Sequence, residues 1–327
     1  MLPIGVLIPT LDSAAALPGH LESMSEWLDL VEEVVVVDSF SQDGTLELMQ
    51  SRLRHPRLKI LSHPRGLYQS WNHGIRNLTA RYCYISTVGD SITRAGLEHL
   101  HNAARKLDSD VVVSKPQFIT NGGAPMMDVK WPIHDMLSTL QITEPVRLET
   151  WAVLMFALRN IPSAVLGSSA SNLYGTNLLQ RFPFPTDFGT VGDGAWSIST
   201  LFEYKFVLTP ETFSTFRHHP KAYRPDEYAV ADISRKLFQL ACETLRNRLA
   251  SDPVMRADAR CGDYRRLIKL IQSTGEYIKW QQELVAVRDC KLPWIFKPRA
   301  WWVRAQRNRQ RRLMSEQQLV IKSVWAA

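Results

Sequence analysis

Val34–Val37 runs straight into Asp38, and the polar loop that follows closes on Asp43-Gly44-Thr45. An unbroken β-branched run is the mark of a strand buried on both faces. A carboxylate at the carboxyl end of such a strand stands where open α/β sheets take up ligands, ready to accept a hydrogen bond or meet a cation. Three further strand ends carry the same kind of polar residue: Pro9-Thr10, Arg65–Asn72 (RGLYQSWN) and Thr87-Val88-Gly89-Asp90-Ser91. Later, Gly192-Asp193-Gly194 sets an acid between two glycines ahead of a helical pattern. That arrangement lets a ligand approach the backbone closely and suits a general base. His218-His219 could supply a metal ligand or a phosphate contact. Each of these positions also has a purely structural reading. Asp43, Thr45, Asp90 and Asp193 are all good N-caps, Asn72 and Gly74 suit a loop-to-helix junction, and a histidine pair is often a surface feature.

The elements that would position these residues alternate along the first hundred residues. Strands are predicted at Ile4–Ile8, Val34–Val37, Leu58–Leu61, Tyr82–Thr87 and Val111–Ser114. Helices are predicted at Leu17–Leu30, Leu46–Leu53, Leu67–Leu78 and Ile92–Leu107. Alternation of this kind implies right-handed βαβ units, a mainly parallel sheet, and strand-end loops gathered on one edge. From Gln117 to Phe188 prolines break the pattern, with one helix predicted at Leu148–Leu158. A helical, amphipathic stretch runs from Glu227 to about Ala286.

With 327 residues and 45% apolar composition, the chain can bury a large core. Its four cysteines show no C-x-x-C spacing, which argues against a zinc site or a disulfide framework and fits a reducing cytosol. Met1 leads directly into an apolar strand, so no signal peptide is expected, and Trp151–Leu158 is too short to span a bilayer. The formal charge of +7 is uneven: Cys290–Ser315 holds eight Lys or Arg and no acid. There Trp294, Trp301 and Trp302 interleave with Lys291, Lys297, Arg299 and Arg304, followed by Arg307, Arg309, Arg311 and Arg312. Such a 291–312 segment suits an anionic membrane interface. It equally suits a terminal helix that packs its tryptophans on the domain, and nucleic-acid phosphates come third.

As an ordered set, these residues resemble the family 2 inverting glycosyltransferases, as in bacterial polysaccharide and lipopolysaccharide synthesis. The family's first strand ends P-T-Y-N where this chain has Pro9-Thr10-Leu11-Asp12. Its second ends V-D-D-G-S-x-D-G-T, against Val37-Asp38-Ser39-Phe40-Ser41-Gln42-Asp43-Gly44-Thr45. A subgroup motif G-I-Y-D-A-M-N-K-G-I faces Gly66-Leu67-Tyr68-Gln69-Ser70-Trp71-Asn72-His73-Gly74-Ile75. The metal-binding D-x-D faces Val88-Gly89-Asp90, and the later acid faces Gly192-Asp193. The match runs over roughly residues 3 to 220.

The resemblance implies a GT-A fold, Rossmann-like, with a mainly parallel central sheet flanked by helices and a helical C-terminal extension. Residues 1–116 would form the nucleotide-sugar half, 117–224 the acceptor half and 225–327 the extension. Pro9, Thr10, Asp38, Arg65, Tyr68, Asn72, Gly89 and Asp90 would bind the donor, a UDP-sugar first among candidates. Asp90, with His218 or His219, would hold a divalent metal, Mn2+ or Mg2+. Asp193 would be the catalytic base toward a saccharide or lipid-linked acceptor, in an enzyme of the cytoplasm or the inner face of the membrane. Val88 replaces the first acid of D-x-D, which leaves Asp90 as its one carboxylate for the metal and raises an alternative: a catalytically silent nucleotide-binding protein of the same fold.

Overall fold

The computed structural model describes residues 1–127, 129–218 and 227–251, together with 271–276, 278–279 and 308. His219 and, apart from residue 308, the basic aromatic segment 291–312 lie outside the described residues.

The amino-terminal half follows the predicted rhythm: β1 (Ile4–Thr10), α1 (Leu17–Met24), β2 (Glu33–Asp38), α2 (Thr45–Arg52), β3 (Leu58–Ser62), α3 (Leu67–Ile75) and β4 (Tyr82–Ile85). A short β5 (Ser91–Ile92) precedes α4 (Arg94–Lys106), β6 (Val111–Ser114) and β7 (Gln117–Ile119). Then come α5 (Pro132–Leu140), β8 (Val146–Leu148), α6 (Thr150–Asn160), β9 (Asn172–Gly175), α7 (Thr176–Arg181), α8 (Gly192–Ser199), β10 (Phe206–Thr209), β11 (Ser214–Arg217) and α9 (Glu227–Ser251).

Eight strands form the main sheet in the order β3-β2-β1-β4-β9-β6-β10-β8, and a smaller sheet runs β5-β11-β7. The pairs β3/β2, β2/β1, β1/β4 and β6/β10 are parallel, while β9 and β8 run against their neighbours. The valine run of β2 is buried on both faces, as its composition predicts. On one face Trp27, Met49, Leu97 and Leu100 pack beneath α1, α2 and α4. On the other, Tyr68, Trp71 and Ile75, spaced i, i+3, i+7 along α3, join Phe156, Phe184 and Trp196. Gly74 permits that second layer: a Cβ there would meet Leu7 and lie 2.8 Å from Cγ2 of Val37.

Several boundaries differ from the sequence pattern. α1 stops at Met24, because the chain turns inward to bury Trp27, Leu30 and Val31. Ile92, predicted to open a helix, joins Ser91 in pairing with β11 instead, and α4 starts after the N-cap Thr93, whose hydroxyl accepts from the Gly96 N–H at 3.1 Å. Leu148 closes β8 against β10, so α6 begins only at Thr150.

Candidate active site

Because β1 lies between β2 and β4, Thr10 stands between the strand ends carrying Asp38 and Asp90. Thr10 and Asp38 are register partners, and the Thr10 hydroxyl donates to Asp38 Oδ1 at 3.0 Å. Ser41 adds its own hydroxyl to Oδ1 at 2.6 Å and its N–H to Oδ2 at 3.0 Å. Asp38 is only 1% exposed. Its carboxylate therefore organises the loop after β2. The two loops are also tied to each other: Gln42 N–H donates to Asp12, Asp12 N–H to Ser41, Ala14 N–H to Asp43 and Ser13 N–H to Thr45. At the crest of this knot Phe40 adopts a left-handed backbone, φ 58°, and the residue is 56% exposed.

α3 links the first group to a second. Ser39 Oγ and Ser70 Oγ are 3.0 Å apart. Asn72 grips the Phe184 backbone twice, donating to its carbonyl at 2.8 Å and accepting from its N–H at 2.9 Å. Its amide thus fastens the segment leading to α8. Tyr68 is 3% exposed and stacks on Phe184, and its one hydroxyl proton is shared between the Thr190 carbonyl, at 3.1 Å, and the Asp193 carboxylate. Asp193 sits in the first turn of α8 beside that phenol. Desolvation raises its carboxyl above the ordinary range, and the Gly194 N–H, 2.8 Å from Oδ1, and the Tyr68 hydroxyl draw it part of the way back. Gly192 permits the contact, since a Cβ there would lie 2.5 Å from the Tyr68 ring and 2.6 Å from the Pro185 carbonyl.

Asp90 belongs to a third group. It is 6% exposed, with the positive-φ Gly89 before it. Burial pushes its carboxyl up to about 7, against the pull of the Arg217 N–H and guanidinium and of the Ser168 hydroxyl. Oδ1 accepts that N–H at 2.9 Å. The Asp90 carbonyl meets Nδ1 of buried His20 at 3.0 Å, and a carbonyl can only accept, so Nδ1 carries the proton. Burial lowers His20 to about 4, so the neutral ring's Nε2 accepts from Ser86 at 3.1 Å. His20, Asp90 and Arg217 line one cavity of about 680 Å³ with Ala16, Gly19 and Asn121.

His20 and Arg217 were not foreseen. Nothing in the sequence separates His20 from an ordinary helical histidine, and Arg217 ends a strand too short to show a period. Of the foreseen residues, Arg65 is exposed in the loop before α3, without a hydrogen bond among the described residues. His218 gives its N–H to the Ile119 carbonyl and does not line the cavity. No hydrogen bond or ion pair between described residues joins the Asp90 group to the Asp193 group directly.

As a metal site this arrangement falls short. Val88 brings no ligand, Asp90 offers one buried carboxylate with an oxygen already engaged, and a guanidinium stands beside it. Among the described residues no three His, Cys, Asp or Glu side chains gather to hold an ion.

Residues 5–159 match the model of glycosyl transferase family 2. The matched stretch is just under half of the chain. It spans β1, β2, β3, β4, β6 and β8 of the main sheet, and Asp193 and Arg217 lie beyond it. Among curated proteins no match was found. Solved structures with a similar fold include S. aureus TarS with UDP-GlcNAc, at 15% identity and TM-score 0.54, covering 76% of this chain and 73% of that one. TarS with UDP gives 15% and 0.51, covering 100% and 91%. The mannosyltransferase PcManGT from Pyrobaculum calidifontis, with GDP-Man and Mn2+, gives 20% and 0.51, covering 98% and 86%. At these identities the likeness is one of fold: the GT-A arrangement of a mainly parallel sheet flanked by helices, with a helical C-terminal region.

Proposed function

We propose that the chain is an inverting glycosyltransferase that moves a sugar from a nucleotide-sugar donor to a hydroxyl of a saccharide or lipid-linked acceptor. The observation that carries this reading is Asp193: a carboxyl raised by burial, held between the Gly194 N–H and the Tyr68 phenol at the start of a helix. A base with its affinity for protons raised toward neutral pH takes a hydroxyl proton better than an ordinary carboxylate does. The deprotonated hydroxyl attacks the anomeric carbon from the face opposite the nucleoside diphosphate. The anomeric C–O bond breaks with its electron pair on the β-phosphate oxygen, and the configuration inverts. The Asp38 loop borders the nucleoside end of the donor, and Asp90 marks the diphosphate end. TarS with UDP-GlcNAc and PcManGT with GDP-Man support a nucleotide-sugar donor, with a UDP-sugar tried first.

The resemblance also brings a divalent metal, which PcManGT carries as Mn2+. Around Asp90 that ion would find one carboxylate, so no step of this reading passes through it. Asp193→Asn should lower transfer about a hundred- to ten-thousand-fold while leaving the melting temperature and nucleotide affinity in place. Full activity in that variant would remove Asp193 as the base.

Val88 favours a second reading, a nucleotide-binding protein without turnover. Calorimetry separates the two: tight nucleoside diphosphate binding with no transfer across a panel of donors selects it. Among the described residues no helix is long and apolar enough to cross a membrane. The basic aromatic segment 291–312 supports a peripheral contact with anionic lipid. Replacing Arg307, Arg309, Arg311 and Arg312 with Gln should then abolish sedimentation with phosphatidylserine vesicles.

A further inference from the structure

We propose that the guanidinium of Arg217, rather than a divalent cation, neutralises the diphosphate as it leaves. The proposal rests on the glycosyl-transfer reading and deepens it.

Arg217 is the last residue of β11, between β5 and β7 in the small sheet. Its side chain reaches across the end of that sheet to three carbonyls. Nε donates to Gly89 at 3.3 Å, and Nη1 donates to Thr120 at 3.4 Å and Asn121 at 2.6 Å. These bonds fix the plane of the guanidinium and use Nε–H and both hydrogens of Nη1, leaving the two N–H groups of Nη2. Nη2 has no hydrogen-bond partner among the described residues, and Arg217 lines the 680 Å³ cavity beside Asp90 and His20. A planar cation with donors left over suits phosphate oxygens, whose fork geometry an arginine matches.

The same geometry explains what Asp90 does without a second acid at Val88. Its Oδ1 holds the Arg217 N–H, so it anchors the end of β11 from which the guanidinium projects. Asp90 is then a positioning residue and Arg217 the group that meets the ligand. Because an arginine stays protonated throughout the working range, its charge is present without any metal. As the C–O bond breaks, negative charge gathers on the β-phosphate oxygen, and a cation already held in place stabilises it without reorganisation.

A merely structural Arg217 would staple three loops and nothing more. Calorimetry of the full chain with UDP, GDP, uridine and guanosine distinguishes the roles, each ligand measured in EDTA and again with Mn2+. We expect a diphosphate to bind in EDTA, with Mn2+ changing its affinity less than about threefold. Arg217→Gln should weaken that diphosphate about thirtyfold and leave the matching nucleoside unchanged. If the Gln variant melts early, Arg217→Lys serves instead: it keeps the charge, loses the fork, and should weaken the diphosphate about tenfold with the nucleoside unchanged. Diphosphate binding that requires Mn2+, or that survives both substitutions, overturns the Arg217 proposal and leaves the glycosyltransferase reading standing. If no diphosphate binds the unaltered chain with or without Mn2+, both fall.

Discussion

Asp193 and Tyr68 make a pair whose chemistry can be read in a pH profile. Burial raises the carboxyl, and the phenol offsets part of that rise. If Asp193 is the base of the proposed transfer, the carboxylate is the working form, so kcat/KM should climb with pH through the raised value and then level off. Tyr68→Phe removes a hydrogen bond to the charged form, so the carboxyl rises further and the acidic limb should move to higher pH. A limb that stays in place would show that the phenol does not steady the base. Phe40 offers a second test. A non-glycine residue in the left-handed region costs about 1–2 kcal/mol, and an exposed ring recovers little of that by burial. The family's motif has glycine at this position. Phe40→Gly should therefore raise stability in urea unfolding, by under about 1 kcal/mol once glycine's greater unfolded entropy is counted. A simultaneous fall in nucleotide affinity would tie the ring to the ligand.

Two glycines show how elements rather than residues carry the site. Gly74 seats α3 on β1 and β2, and Gly192 seats α8 on α3 through Tyr68. Alanine at either position forces packed atoms apart, at a cost of about 1–3 kcal/mol. The consequences should differ. Gly74→Ala should lower the melting temperature with little change in kcat at permissive temperature, whereas Gly192→Ala should lower kcat as well, because it lifts Asp193 off the phenol. Equal kcat in the two variants would detach the base from the seating of α8. The elements that were legible are those with a helical spacing or an unbroken apolar run: the valines of β2 appear as predicted, and α3 falls within the helix predicted at Leu67–Leu78. β5, β7 and β11 were not, because two to four residues give no periodicity. The small sheet they form carries Arg217, so half of the Asp90 environment stayed invisible. Asn72 was visible as a residue, but its grip on Phe184 depends on a segment 112 positions away in sequence.

At the scale of the whole molecule, His20 and Asp90 set opposing pH dependences on stability. His20 falls to about 4 in the folded state. Its contribution is complete above its ordinary value near 6.5 and is lost as pH falls toward 4. Asp90 rises to about 7. Its contribution is complete below its ordinary value near 3.8 and is lost as pH rises toward 7. Across the same window the two slopes oppose each other, so in the unaltered protein each masks part of the other's effect. Asp90→Asn keeps the carbonyl that holds His20 and removes the acid. That variant should lose on the order of 3 kcal/mol between pH 6.5 and pH 4 in urea unfolding, a figure set by the His20 displacement alone. A variant level over that range would show that His20 titrates normally.

The knot between the loops after β1 and β2 has a kinetic consequence. Four cross-loop hydrogen bonds hold together, before any ligand arrives, the loops that the proposal gives to the nucleoside end of the donor. The entropy of ordering those loops is then lost during folding and not at encounter. Donor capture at this end should behave as docking onto a finished surface, with an association rate insensitive to viscosity-independent loop closure. The amides of Asp12, Ala14 and Gln42 provide the measure: although these residues are exposed or only half-buried, they should exchange hydrogen slowly in the ligand-free protein, and nucleotide should slow them little further.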